Sequence, residues 1–204
     1  MRKVVVSEFV TLDGVMEAPD EWSFQFWSEE AESFKRAELF ASDALLLGRV
    51  TYEGFAASWP SMTDGTGFAE RMNSLPKHVA SVILEETEWN ATVIEEDVAS
   101  AVSRLKKQPG QDILVYGSAD LVNTLIQDDL IDELRLMVFP VVVGRGKRLF
   151  EDGIDAKVLE LVETKTLDSG VVVQTYRPSG EALMDPDEAG PRPASRADRN
   201  ERKR

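Results

Sequence analysis

The sequence predicts a single three-layer α/β domain, with a central, mostly parallel sheet, flanking helices and a C-terminal antiparallel hairpin. Three observations carry this reading. Short runs that are apolar on both faces alternate with segments of helical period, the pattern of strands covered on both sides by helices. Three of those runs end at glycine, namely Gly48, Gly117 and Gly144, where a buried strand gives way to a turn or to a close approach. The last two apolar runs are joined by Asp168-Ser169-Gly170, a hairpin signal.

Taken in chain order, the strands are KVVVSEFVTL (3–12), DALLLG (43–48), HVASVIL (78–84), TVIE (92–95), DILVYG (112–117) and ELRLMVFPVVVG (133–144). Between them, residues 28–41 have helical composition. Val98, Ala101, Val102 and Leu105 form an i, i+3, i+4, i+7 stripe that Pro109-Gly110 ends. A further helix opens at Ser118 or Asp120 and turns Leu121, Val122, Leu125 and Ile126 inward. VLELVETKTL and GVVVQTYR make the closing hairpin. Both periods stop at Pro178, so the expected domain spans 1–178. The remaining 179–204, which includes the basic run RPASRADRNERKR, reads as a disordered charged tail.

A chain of 204 residues that is 43% hydrophobic can bury one full core. It has no cysteine, which excludes disulfides, thiolate metal sites and cysteine nucleophiles. His78 is its only histidine and, at a strand entry, is read as structural, so no metal site and no histidine-based hydrolase triad is expected. The formal charge of −14 opposes a nucleic-acid partner, whose phosphates need a basic surface. Residues 1–180 carry 17 Lys and Arg against 31 Asp and Glu, and residues 181–204 carry six of each. No apolar run reaches membrane-spanning length, and Met1-Arg2-Lys3 leads directly into a strand. The expected protein is cytoplasmic and binds no membrane.

In an open α/β sheet, ligands sit beyond the carboxyl ends of the strands, and the glycine-marked ends fall there. Gly117-Ser118-Ala119 follows a buried strand, and Asp120-Leu121 opens a helix whose free N–H groups suit a phosphate. Gly48, Arg49 and Thr51 offer a guanidinium and a hydroxyl at a second strand end. The full G-x-G-x-x-G fingerprint of a Rossmann site is absent.

The ordered set Asp13-Gly14, Gly48-Arg49-x-Thr51-Tyr52-Glu53, Leu75-Pro76-Lys77 leading to Ser81, Val115-Tyr116-Gly117-Ser118-Ala119, and Asp132-Glu133-Leu134 followed by Pro140, Gly144-x-Gly146 and Leu149-Phe150 resembles the dihydrofolate reductase-like superfamily. The resemblance is to the C-terminal reductase domain of the riboflavin-biosynthesis deaminase/reductase, over residues 2–177. It implies a dihydrofolate reductase-like fold and an NADPH-dependent oxidoreductase, with NADH not excluded. Gly48, Arg49 and Thr51 would hold the adenosine phosphates, and Ser81 would lie beside the adenosine ribose. Gly117, Ser118, Ala119, Asp120 and Leu121 would cradle the pyrophosphate. Family members often carry an arginine where Val82 stands here, so NADPH preference has one partner fewer. Matching SFKR (33–36) to the family's first long helix places Glu30 nearest the carboxylate that assists protonation, and Asp13, at the end of the first strand, is the second candidate. Trp22, Trp27 and Phe34 are candidates to stack on a flat substrate ring, the alternative being that they cover the sheet as core. No deaminase signature is present.

The resulting expectation is a homodimeric reductase of a pyrimidine, pterin or related small heterocycle, similar to a 5-amino-6-ribosylaminouracil-phosphate reductase. Two alternatives stand beside it. One is an NADP-binding protein of the same fold without turnover, and the other is a homodimeric scaffold that associates through the LRLMVFPVVVG run. Deleting residues 181–204 is expected to leave the melting temperature and any reductase activity nearly unchanged, because the segment has neither period nor apolar content with which to dock. A fall of several degrees in a thermal melt would show that it packs on the domain.

Overall fold

A computed structural model describes residues 1–183; the expected tail lies, from residue 184 onward, outside the described residues. Eight strands form one sheet in the order β4-β3-β2-β5-β1-β6-β8-β7. They are β1 (Val4–Thr11), β2 (Ser42–Gly48), β3 (Lys77–Ala80), β4 (Ala91–Ile94), β5 (Asp112–Tyr116), β6 (Glu133–Phe139), β7 (Leu159–Thr166) and β8 (Val172–Pro178). The first six run parallel. β8 is antiparallel to both β6 and β7, so the C-terminal hairpin closes one side of a parallel sheet, as the Asp168-Ser169-Gly170 turn requires.

Helices cover both faces. α5 (Val98–Lys107) and α6 (Ala119–Gln127) pack Val102, Leu105, Leu121, Val122 and Leu125 on Val4, Val6, Val10, Leu46 and Val115. On the other face lie α1 (Pro19–Trp22), α2 (Glu29–Phe40), α3 (Arg49–Ser58) and α4 (Phe68–Ser74). There Leu39, Tyr52, Ala56 and Met72 meet Val5, Leu45, Leu47 and Leu114. A third cluster joins Trp22 and Ala31 to Met137, Phe139 and Val173. Odd and even residues of β1 feed different clusters, the strand period of two.

The structure changes the sequence reading in four places. The strand expected at 78–84 ends at Ala80, because the Ser81 hydroxyl accepts from the N–H groups of Ile83 (3.2 Å) and Leu84 (3.0 Å) and turns the chain. The run at 133–144 stops at Phe139, since Pro140 has no N–H to continue the ladder. Residues 49–74 contain two helices that the apolar period did not announce. Finally, β6 lies between β1 and β8, with both edges paired, and so has no free edge for a second copy of the chain. No helix among the described residues is long and apolar enough to cross a membrane.

Leu46 is fully buried on β2 within the α5/α6-side core. Leu46→Ala is expected to cost about 2–5 kcal/mol through lost transfer energy and a residual cavity, read from urea unfolding; a loss near zero would mean that the core is less tightly packed than described.

Candidate active site

β5 and β1 pair only as far as Ser7 and Tyr116, while β1 continues against β6 to Thr11. The sheet therefore forks at its carboxyl edge, between β1 and the point where β5 leaves for α6. Beside the fork, Gly48 ends β2 and opens α3, and Gly117-Ser118 ends β5 and opens α6. The Gly48 N–H donates to the Ser118 hydroxyl at 2.8 Å, and that hydroxyl donates to the Tyr116 carbonyl at 3.1 Å. The two helix starts are thus locked side by side.

This junction leaves no room for side chains. A Cβ on Gly48 would meet Ser118 Cβ at 3.3 Å, and one on Gly117 would meet Thr51 Oγ1 at 2.8 Å. Gly117 (φ 58°) and Ser118 (φ 67°) both adopt left-handed backbone. The N-cap of α3 is Gly48, which has no side chain, and Ser118, the N-cap of α6, spends its hydroxyl on β2 and β5, so neither helix has a side-chain cap among the described residues, whereas Ser28 caps α2 and Asp97 caps α5. The first-turn N–H groups of α3 and α6 have no intrahelical partner, and the Gly48–Ser118 bond brings the two helix starts together.

The cofactor candidates fall around that junction in different ways. Gly48, Gly117, Ser118 and Ala119 form the junction itself, and Thr51 stands against Gly117. The Arg49 guanidinium donates twice to Glu53, at 3.0 and 2.8 Å, across one turn of α3, at half-exposed positions where the pair is easily exchanged. Ser81 lies beyond β3, the strand paired with β2, and its hydroxyl already holds its own turn. Asp120 is exposed and pairs with Lys147, which lowers its carboxyl pKa. Leu121 is buried in the core, so only its backbone N–H can serve a ligand.

The two expected acids are held by structural partners. Asp13 accepts from the Thr11 hydroxyl (2.6 Å) and from the N–H groups of Gly144 (2.8 Å) and Val143 (3.2 Å), clamping the β1 loop to the segment after β6. These bonds lower its pKa to about 2, the Thr11 bond most. Glu30 accepts from the Asp168 N–H at 2.9 Å and pairs with Lys165 at 3.1 Å, and its pKa is lowered for those reasons in that order. These bonds favour the ionised form of both groups and use them to hold loops together.

The aromatic candidates separate as well. Trp22 is 6% exposed, donates to the Glu17 carbonyl at 2.9 Å and meets Phe139 edge-on, so it is core. Phe34 is half-buried against the same cluster. Trp27 is 42% exposed and leans on Phe9, 6.1 Å away, where a flat ring can reach it. His78 is half-buried in β3, and burial, then Arg2, lowers its pKa, consistent with a structural role. No cluster of potential metal ligands occurs among the described residues.

Sequence reasoning missed a buried polar group under α2. Glu38 accepts from the Ser7 hydroxyl and the Tyr116 hydroxyl, each at 2.9 Å, receives Arg135 at 3.4 Å and pairs with Lys35. The Lys35 ammonium also donates to Ser7 at 3.1 Å and sits 3.9 Å from the Tyr116 ring centre. One signal was available: Ser7-Glu8 interrupts a strand that is otherwise apolar on both faces.

Comparison with known proteins agrees with this geometry. The model of the RibD C-terminal domain family matches residues 2–173. The Bacillus subtilis (strain 168) protein YyaP, itself uncharacterized, is 34% identical over 185 residues, covering 88% of this chain and 96% of its own. A Shewanella sp. PV-4 protein provisionally assigned to riboflavin biosynthesis superposes with a TM-score of 0.71 at 18% identity, covering 87% of this chain and 99% of that one. Enterococcus faecalis dihydrofolate reductase, complexed with NADP(H), superposes with a TM-score of 0.60 at 16% identity, covering 87% and 96%. The two structural likenesses show the fold.

Gly117→Val is expected to destabilise the protein by about 1–3 kcal/mol, because a β-branched residue is strained at positive φ and its Cβ collides with Thr51. Urea unfolding measures this, and a variant as stable as the parent would show that the junction tolerates a side chain.

Proposed function

Because the chain belongs to the RibD C-terminal domain family, we propose that it is an NAD(P)H-dependent reductase of a pyrimidine, pterin or related small heterocycle. The observation that supports this best is the pair of uncapped helix starts, α3 and α6, bonded together at the ends of adjacent strands. The donor set fits a dinucleotide pyrophosphate: backbone N–H groups of both first turns, the Thr51 hydroxyl and the Arg49 guanidinium, with no side-chain bulk between them. The likeness to an NADP(H)-bound dihydrofolate reductase supports the same cofactor.

When bound, the dihydronicotinamide supplies a hydride to the substrate. The chain's own residues bind and orient. The α6 first turn and Gly48 fix the phosphates, and Arg49 exchanges Glu53 for a phosphate oxygen. Ser81, one strand further along the edge, is placed for the adenosine end. Trp27 and Phe9 offer a face to a planar ring on the α2 side of the fork. Reduction of a C=N or C=O bond also needs a proton. With Asp13 and Glu30 both bonded into loops as carboxylates, the proton comes from solvent water. That same observation favours one second reading, a cofactor-binding protein of this fold without turnover; single-turnover NADPH oxidation in the presence of a panel of pyrimidines and pterins separates the two.

Arg49→Ala is expected to weaken NADPH binding by about 1–3 kcal/mol, since it removes a charge-assisted contact without touching the core. Fluorescence titration reads the dissociation constant, and an unchanged value would place the phosphates elsewhere.

A further inference from the structure

Glu8 is the one residue of the fork with an unanswered polar atom. It follows Ser7, whose hydroxyl points to Glu38 on the α2 side, so strand alternation turns Glu8 to the opposite face, the side that α5 and α6 cover. Its neighbours two residues away, Val6 and Val10, and its partner on β6, Leu136, belong to the apolar cluster that α6 covers. Glu8 is 2% exposed, and its Oε1 has no hydrogen-bond partner among the described residues. On the β5 side the strand pairing has already ended, and the Gly117 N–H is the backbone donor that approaches the carboxyl.

The charged groups around Glu8 are committed elsewhere. Lys35 and Glu38 from α2 pair with each other, and the Tyr116 phenol of β5 donates to Glu38. Arg135 of β6 bonds Glu133 and Glu38, and Asp120 of α6 holds Lys147. Burial outweighs the pull of Lys35 and of the Gly117 N–H and raises the Glu8 pKa well above the ordinary glutamate value. A neutral carboxyl presents one O–H donor and one carbonyl acceptor side by side, the complement of a primary amide. Leaving such a group unpaired in an apolar layer is costly. The cost falls at the fork, beside Gly117 of the junction assigned to the pyrophosphate.

We infer that Glu8 is the residue that binds the carboxamide of the nicotinamide ring, through paired hydrogen bonds that set the ring in the fork between β1 and β5. This deepens the NAD(P)H reading and depends on it. The carboxyl is a positioning group for the cofactor: in its neutral form it both donates to and accepts from the amide, and ionisation removes the donor.

The test compares NADPH with adenosine 2′,5′-bisphosphate, which shares the adenosine phosphates and lacks the carboxamide, by titration of the full chain. Glu8→Leu is expected to raise the NADPH dissociation constant about tenfold or more while leaving that of the bisphosphate within about twofold. In the parent, the NADPH-to-bisphosphate affinity ratio should fall as pH rises through the raised Glu8 pKa. Glu8→Gln, which keeps a donor and an acceptor at every pH, should bind NADPH with a flat ratio, and it decides the matter if Glu8→Leu does not fold. Equal loss of both ligands in Glu8→Leu, no loss of NADPH affinity, or a Glu8→Gln profile that parallels the parent's would each overturn the inference and leave the cofactor reading standing. A parent that binds no NADPH overturns both.

Discussion

The buried carboxylate of Glu38 ties the functional edge of this fold together. Burying a charge is costly unless partners surround it, and here the partners come from everywhere that matters: Ser7 on β1, Tyr116 on β5, Arg135 on β6 and Lys35 on α2 itself. One side chain thus fixes α2 against the three central strands at the level where β1 and β5 separate. Remove it and Lys35 becomes a buried cation without its counter-ion, while Arg135 keeps only Glu133, so the network behaves as a unit.

With α2 held on one face, the fork is shaped by a second constraint, the absence of side chains on the other. Gly48 and Gly117 allow α3 and α6 to start in contact, and Ser118 closes that contact by donating its hydroxyl to the β5 carbonyl while accepting from the Gly48 N–H. A serine that would ordinarily cap its own helix is used across strands instead, which leaves the first-turn N–H groups of α6 without a side-chain cap. The packing of the two helix starts and the lack of a side-chain cap on α6 are therefore consequences of the same hydroxyl.

Much of the architecture was legible because it depends on period. Strands apolar on both faces, the stripe at Val98, Ala101, Val102 and Leu105, and the Asp168-Ser169-Gly170 turn are local signals, and the fold class follows from them. The α3 and α4 helices were not legible. Residues 49–58 mix Arg49, Thr51, Gly54 and Phe55 without a clear stripe, and α3 buries only Tyr52 and Ala56, so tertiary packing rather than pattern selects the helix. The Ser81 turn was hidden for the opposite reason, since VASVIL reads as strand until a hydroxyl two residues earlier captures the N–H groups of Ile83 and Leu84.

The candidate site divides along the same line. The residues themselves determined that Gly48, Arg49, Thr51 and Gly117-Ser118-Ala119 stand at strand ends, because glycine after a buried strand and a helix opening are properties of neighbouring positions. Only the tertiary structure decided what each polar side chain does: Asp13 clamps Val143 and Gly144, Glu30 meets Asp168, Trp22 fills the core beside Phe139, and Glu8 is enclosed beside Gly117. The partners in these contacts lie more than a hundred residues away in the chain. Which charge a carboxyl keeps, and whether a ring is wall or core, depends on neighbours that the fold supplies and the local sequence does not contain.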